Sequence, residues 1–342
     1  MEKMICFKNG NITSNLGTYY KPYFKPYSKE LFELINQFKK EDIAAAAQAH
    51  IENLLIALID YVLNKNKIKK TDLMCAGGVF GNVKITQKLK SLPIIKNIFV
   101  QPQMGDGGLC LGACALSQHI NGYDISPMKD TYLGPKVDLI SFLNKFSSDP
   151  ELEIYKPEDI TENICRDIES NQIIALVRGR MEFGPRALCN RSILCRTSEQ
   201  CINISINKRL GRTEFMPFAP VIREEKAEKS FLNYKSSDKT LEFMTSTIDC
   251  TDYFKSLSPA VVHTDQTARP QIIKKNKDPF MWDILKRWEE ISKEPSLVNT
   301  SFNAHEEPII CGFEEAIKAL KANRVDILYI ENYRIKNSKK II

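Results

Sequence analysis

No long apolar run occurs in the chain. The most apolar stretch, 54–63, is interrupted by Asp60, whereas a membrane-spanning helix needs roughly 20 apolar residues. A helix of a soluble protein is therefore expected there, with no membrane span. The opening MEKMICFKNGNITSN lacks the apolar core of a secretion signal. The ten cysteines are scattered and include no CxxC pair, which removes the commonest redox and zinc patterns. Reduced thiols in the cytoplasm are the expectation. Cys110 and Cys114 would share one helical face, and ordinary packing is the preferred reading of that pair. Histidine is scarce, with four residues and no HxxxH pair. A Walker loop, an HExxH helix and a GxSxG elbow are all absent, so none of these three motifs signals the chemistry here. Neither sign of charge dominates: 48 Lys and Arg stand against 42 Asp and Glu, a net charge of +6. That balance admits small anionic ligands without the basic footprint of a nucleic-acid binder.

With 342 residues, 43% apolar and 26% charged, the chain suits two globular domains rather than one core. A helix is expected over 28–39, then a long one capped by Asp42 and running to about residue 64. Alternating units follow: strand 72–76, a turn at Gly77-Gly78, helix 79–91, strand 97–101, loop 104–108 and helix 109–119. This rhythm predicts an α/β fold. Turn formers over 123–157 place the domain junction there, giving domains 1–150 and 151–342. The second domain is expected to hold helices at 157–170, 198–210 and 313–323, with strands at 173–177, 218–222, 297–300 and 327–330. The basic tail from Arg334 is expected to be mobile.

Two glycine loops stand out in the first half. Gly77-Gly78 follows a strand, with Asn82 just beyond. Met104-Gly105-Asp106-Gly107-Gly108 repeats the arrangement with a carboxylate added. Bare amides suit phosphate, and Asp106 suits a divalent cation. Either loop alone serves equally well as a tight turn; as a pair they point to a clamped nucleotide or phosphorylated ligand.

The second half carries Arg178, Arg180, Arg186, Arg191 and Arg196 within nineteen residues, with Glu182 the only acid among them. Guanidinium groups hold phosphate bidentately, so the cluster reads as an anion pocket on a loop at a sheet edge. Lys208, Arg209 and Arg212 add a second basic set. In VVHTDQTAR, the residues His263, Asp265, Thr267 and Arg269 alternate, which on a strand would place them on one face. The segment Asn299-Thr300-Ser301-Phe302-Asn303 offers hydroxyl and amide groups at a strand end, suited to a small polar ligand or to capping a turn.

The blocks GRMEFGPRALCNRSIL, TEFMPFAP, AVVHTDQTARPQ and LVNTSFNAHEEPIIC resemble the C-terminal domain of the O-carbamoyltransferase family, which includes the nodulation-factor, cephamycin and tobramycin enzymes. CAGGVFGNV and QPQMGDGGLCLGA resemble the second half of its actin-like (ASKHA) N-terminal domain. The resemblance implies a partial actin-like domain followed by a YrdC-like domain. It also implies that carbamoyl phosphate and ATP form a carbamoyl adenylate, whose carbamoyl group passes to a hydroxyl of a sugar or metabolite. Arg186, Arg269, Ser301 and Asn303 would be catalytic. Arg180, Arg191, Lys208, Arg212 and His263 would bind carbamoyl phosphate or the adenylate. Gly77, Gly78, Asn82, Gly107 and Gly108 would contact nucleotide, and Asp106 would hold a metal, iron or magnesium. Three departures accompany the match. Cys189 stands where the family has glycine, Met216 where many members have arginine, and the N-terminal portion is about half the family's, without its HxxxH ligands. A separately encoded N-terminal half is the expected partner. The alternatives are a non-catalytic remnant that binds nucleotide or a partner, and a threonylcarbamoyl-adenylate synthase.

Overall fold

A computed structural model describes residues 1–2, 4–14, 28–212 and 217–339. In chain order the first elements are β1 (Ile5–Lys8), β2 (Asn11–Ser14), α1 (Lys29–Ile35), α2 (Lys40–Lys65), β3 (Thr71–Cys75), α3 (Val83–Lys90), β4 (Ile95–Val100) and α4 (Leu109–Ile120). Next come α5 (Leu139–Phe146), β5 (Leu152–Tyr155), α6 (Ile160–Glu169), β6 (Ile174–Val177), β7 (Arg191–Cys195), α7 (Cys201–Arg209), β8 (Ala219–Arg223) and α8 (Glu224–Ser230). The remainder are β9 (Ile248–Asp249), α9 (Asp252–Leu257), β10 (Thr267–Ala268), β11 (Gln271–Ile273), α10 (Pro279–Ser292), β12 (Ser296–Ser301), α11 (Phe313–Lys321), β13 (Ile327–Ile330) and β14 (Tyr333–Asn337).

The chain divides into two compact units. One is Met1–Leu73 with Lys84–Ile98; the other is Met74–Val83 with Phe99–Ile342. The division does not follow the stretch 123–157, because that stretch is bonded into the second unit. Gly134 N donates to Met181 O at 2.9 Å and Val137 N to Gly179 O at 3.1 Å.

In the first unit, β1 and β2 form a hairpin turning at Asn9-Gly10, both with positive φ, as an Asn-Gly turn favours. The helix α2 begins at Lys40 rather than at a cap on Asp42, which falls in its first turn and there complements the helix dipole. Only Leu54 and Leu63 of α2 are buried. By length and a mean hydropathy of 1.3 over its most apolar window, α2 is apolar enough to cross a membrane, a broader apolar stretch than the run 54–63 suggests.

The second unit is built on an eight-stranded mixed sheet in the order β11-β8-β12-β7-β6-β13-β14-β5. The pairs β11/β8 and β6/β13 are parallel and the rest antiparallel. All four residues of β6 are buried, as in strands covered on both faces. Ile174 and Leu176 pack with α6 and α10, around Ile164, Ile284 and Trp288. Ala175 and Val177 face the opposite core with Phe142 and Leu320. The alternation follows from the two-residue period of a strand.

The tail from Arg334 is not a loose end up to residue 339. It forms β14, with Ile335 fully buried and Arg334 bonded to both Asp167 oxygens at 2.7 Å. Nor do residues 263–269 form one strand, because Asp265 Oδ1 accepts from Thr267 N at 3.1 Å and from Thr267 Oγ1 at 2.6 Å. That side-chain turn, with Gln266 at φ 65°, leaves only Thr267–Ala268 extended.

Candidate functional site

The strand directions bring several loops to one end of the large sheet. Ser301 at the end of β12 lies opposite Ser192 near the start of β7, and Asn299 opposite Ala219 at the start of β8. Gln271 at the start of β11 pairs with Val221. The loop 178–190 joins the end of β6 to the start of β7. The arginine loop, Arg212, Arg269 and the Ser301 segment therefore reach this end from separate parts of the sequence.

Burial and bonding sort the arginines. Arg178 pairs with Asp278, donates to Cys189 O at 3.2 Å and lies over the Phe280 ring. Arg196 pairs with Glu294 at 2.9 Å. Arg191, 0% exposed, spends its guanidinium on backbone carbonyls: Cys311 at 2.9 Å, Arg178 and Asn190 at 2.8 Å, and Pro135 at 3.5 Å. It staples the loop, although the sequence suggested a phosphate ligand. Arg180 is exposed and donates to Leu133 O at 2.9 Å.

Arg186 and Arg269 differ from these. Arg186 Nη2 donates to Gly81 O at 3.1 Å, and its Nε is buried with no partner. Among the described residues Arg269 has no carboxylate beside it, and its charged neighbour is Arg186. Burial lowers both guanidinium pKa values below the ordinary range, and Arg186 lowers that of Arg269 further. Among the described residues these two half-buried cations have no counter-charge beside them, and an anion would complete such a site.

Glu182 organises the loop between them. Its Oε1 accepts from the amides of Leu188 and Asn190 at 2.7 Å and of Arg191 at 3.2 Å. Reading the sequence marked Glu182 only as the lone acid; its place inside a Gly- and Arg-rich loop was the available signal. Cys189 adopts φ 79°, a left-handed conformation that glycine takes most easily, which matches the glycine usual at that position. Its thiol is fully buried, and burial holds its pKa well above the ordinary value.

Around this pair, Arg212 Nη2 reaches Thr300 Oγ1 at 3.5 Å and lies over the Phe218 ring, with its pKa lowered by burial. Ser301 is half-buried at the end of β12. Asn303 Nδ2 donates to Ala304 O at 3.0 Å and Glu307 O at 2.8 Å, while its Oδ1 is buried without a partner. Lys208 is exposed in the last turn of α7. His263 Nδ1 lies 3.2 Å from Thr267 Oγ1 and lines a cavity of ≈ 650 Å³ with Asn203, Lys255 and Gln266, but with none of the arginines. Met216 lies outside the described residues.

The glycine loops meet each other through Gly77 N, which donates to Met104 O at 2.7 Å. Gly77, at φ 108°, and Gly78 face open space where a side chain would project. Gly107 and Gly108 do not: a Cβ on Gly108 would sit 2.0 Å from Gln103 O, so packing alone requires that glycine. The expected helix over 79–91 breaks at Asn82 (φ −81°, ψ 95°) into a 3₁₀ turn at Gly78–Gly81 and the helix α3. Asp106 is exposed, and among the described residues no three His, Cys, Asp or Glu side chains gather to hold a metal. Cys110 and Cys114 are both exposed rather than packed.

The family profile described as carbamoyltransferase C-terminus matches residues 165–337, and that described as carbamoyltransferase N-terminus matches residues 22–115. An uncharacterized protein of Methanocaldococcus jannaschii is 34% identical over 306 residues, covering 88% of this chain and 57% of the relative. The nodulation protein NolNO of Sinorhizobium fredii is 31% identical over 304 residues, covering 86% and 44%. Among solved structures, full-length HypF in the phosphate- and nucleotide-bound form overlaps 54% of this chain and 26% of its own, at 18% identity and a TM-score of 0.38. The chain spans about half the length of the curated relatives it matches. On the profile match across its C-terminal half, the chain belongs to the carbamoyltransferase family.

Proposed function

We propose that the chain performs the activation half of an O-carbamoyl transfer. Carbamoyl phosphate and ATP give carbamoyl adenylate, and the carbamoyl group then passes to a hydroxyl of a sugar or secondary metabolite. The observation that carries this reading is the pair Arg186 and Arg269, which has no carboxylate beside it among the described residues. In the balanced sequence, water cleaves carbamoyl phosphate to carbamate and phosphate. A carbamate oxygen attacks the α-phosphorus of ATP and pyrophosphate leaves. The acceptor oxygen later attacks the carbonyl carbon, loses its proton and expels AMP. Negative charge gathers on phosphoryl oxygens in the second step, where fixed, half-buried guanidiniums stabilise it most. Arg186 and Arg269 hold the polyphosphate, Arg212 and Ser301 flank it, and Asn303 shapes the loop beside it. Gly77 and Gly78 offer an open backbone for a second nucleotide contact.

Among the described residues Asp106 belongs to no group of three or more His, Cys, Asp or Glu side chains that would hold an iron or magnesium ion. The acceptor step needs a further polypeptide equivalent to the rest of the relatives. The helix α4 supports this, since none of its residues is buried and Leu109, Leu116 and Ile120 are 71%, 58% and 73% exposed. The same bare helix would also suit a non-catalytic remnant. Carbamoyl-phosphate-dependent exchange of pyrophosphate into ATP separates the two readings. Neither nucleic acid nor membrane enters this chemistry, which belongs in the ATP-rich cytoplasm.

A further inference from the structure

Two half-buried neighbouring guanidiniums repel, so the protein must hold Arg186 and Arg269 together whenever no anion does. They arrive on different elements, Arg186 in the loop between β6 and β7 and Arg269 just ahead of β11. Asn299 Nδ2 donates to the carbonyl of Ala187, next to Arg186, at 3.1 Å. The same nitrogen donates at 2.6 Å to Gln271 Oε1, two residues beyond Arg269. Gln271 Oε1 also accepts from the Cys189 thiol at 3.2 Å.

A backbone carbonyl only accepts, so Ala187 fixes which way the Asn299 amide faces. Asn299 in turn fixes Gln271. Asn299 is 1% exposed, Gln271 is 3% exposed, and Asn299 is anchored in β12 opposite Leu194 and Ala219. Its Oδ1 is buried without a partner. An apolar side chain would avoid that cost, so stability alone does not account for an asparagine here.

We infer that Asn299, acting through Gln271, is a positioning residue that sets the spacing of Arg186 and Arg269 for a ligand with two adjoining phosphate groups. The inference rests on reading the arginine pair as the polyphosphate site. A single phosphate is satisfied by one guanidinium, whereas a diphosphate spans both and depends on their separation.

The test measures binding of pyrophosphate, and of inorganic phosphate by competition, to the full chain. Wild type is compared with Asn299→Leu, Gln271→Leu, the double variant and Arg269→Ala, with thermal melting to confirm folding. Each single variant should weaken pyrophosphate roughly tenfold and the double no further, as for residues acting as one unit. Phosphate affinity should change less than about twofold. Additive losses, equal weakening of both ligands, or no loss would overturn the inference. Binding that needs Arg269 but ignores Asn299 and Gln271 removes this inference alone. Wild type that binds no pyrophosphate, or binding indifferent to Arg269, removes the polyphosphate reading and this inference with it.

Discussion

Deleting the Glu182 carboxylate would strip three buried amides of their acceptor, and each unsatisfied buried group costs ~1–3 kcal/mol. Glu182→Ala is expected to destabilise the protein by about 3 kcal/mol or more, read from the urea midpoint at constant slope. A change below about 1 kcal/mol would mean the loop keeps its form without that acceptor. Cys189 offers a second residue-scale test. Its left-handed backbone costs a side chain roughly 1–2 kcal/mol, which Cys189→Gly would recover while losing the buried thiol. Near-neutral stability, within about 1 kcal/mol, is expected for Cys189→Gly, and a loss above about 2 kcal/mol for the β-branched Cys189→Val. At this scale the sequence was only partly legible. Arginine density pointed to the right loop, and the family glycine at position 189 anticipated the backbone. Which arginine stays uncommitted depends on carbonyls as distant as Cys311 and on acids as distant as Asp278 and Glu294, and no local spacing encodes these.

Elements with strong local rules were the readable ones. The fully apolar β6, the small-residue helix α4 and the amphipathic α11 form close to where periodicity placed them. The strand β14 was missed because Tyr333, Arg334 and Lys336 look like a solvated tail until β13 and β5 pair on either side. The break at 264–266 was missed because Asp265 overrides the alternation with its own turn. The β5–β14 edge carries a pH prediction. Lys339 and then Lys321 hold the Glu151 carboxyl at about 2 instead of the ordinary 4.5. A carboxyl with a depressed folded pKa stabilises above its unfolded value and loses that contribution as pH falls through the folded one. Hydrogen-exchange protection of β14 relative to β6 should fall as the pH drops from about 4.5 toward 2. Glu151→Gln should flatten that dependence; an unchanged slope would remove the role assigned to these pairs.

For the whole molecule, the α/β class and the family followed from ordered sequence blocks, and the compact units cut the chain between 73 and 99. The stretch 123–157 looks like a linker, yet it sends backbone hydrogen bonds into the arginine loop at Gly179 and Met181. The proposed activation chemistry uses residues of the second unit alone, gathered by strand register at one end of its sheet. The apolar surface of α4 is exposed, and the proposed acceptor step is assigned to additional polypeptide. The most direct measurement is exchange of labelled pyrophosphate into ATP, dependent on carbamoyl phosphate, by the wild type beside Arg186→Ala and Arg269→Ala. The account predicts exchange by the wild type and a fall of about a hundredfold or more in each variant, the scale of losing a cation aimed at developing charge. Folded wild type without exchange, or variants that exchange as fast as the wild type, would contradict it.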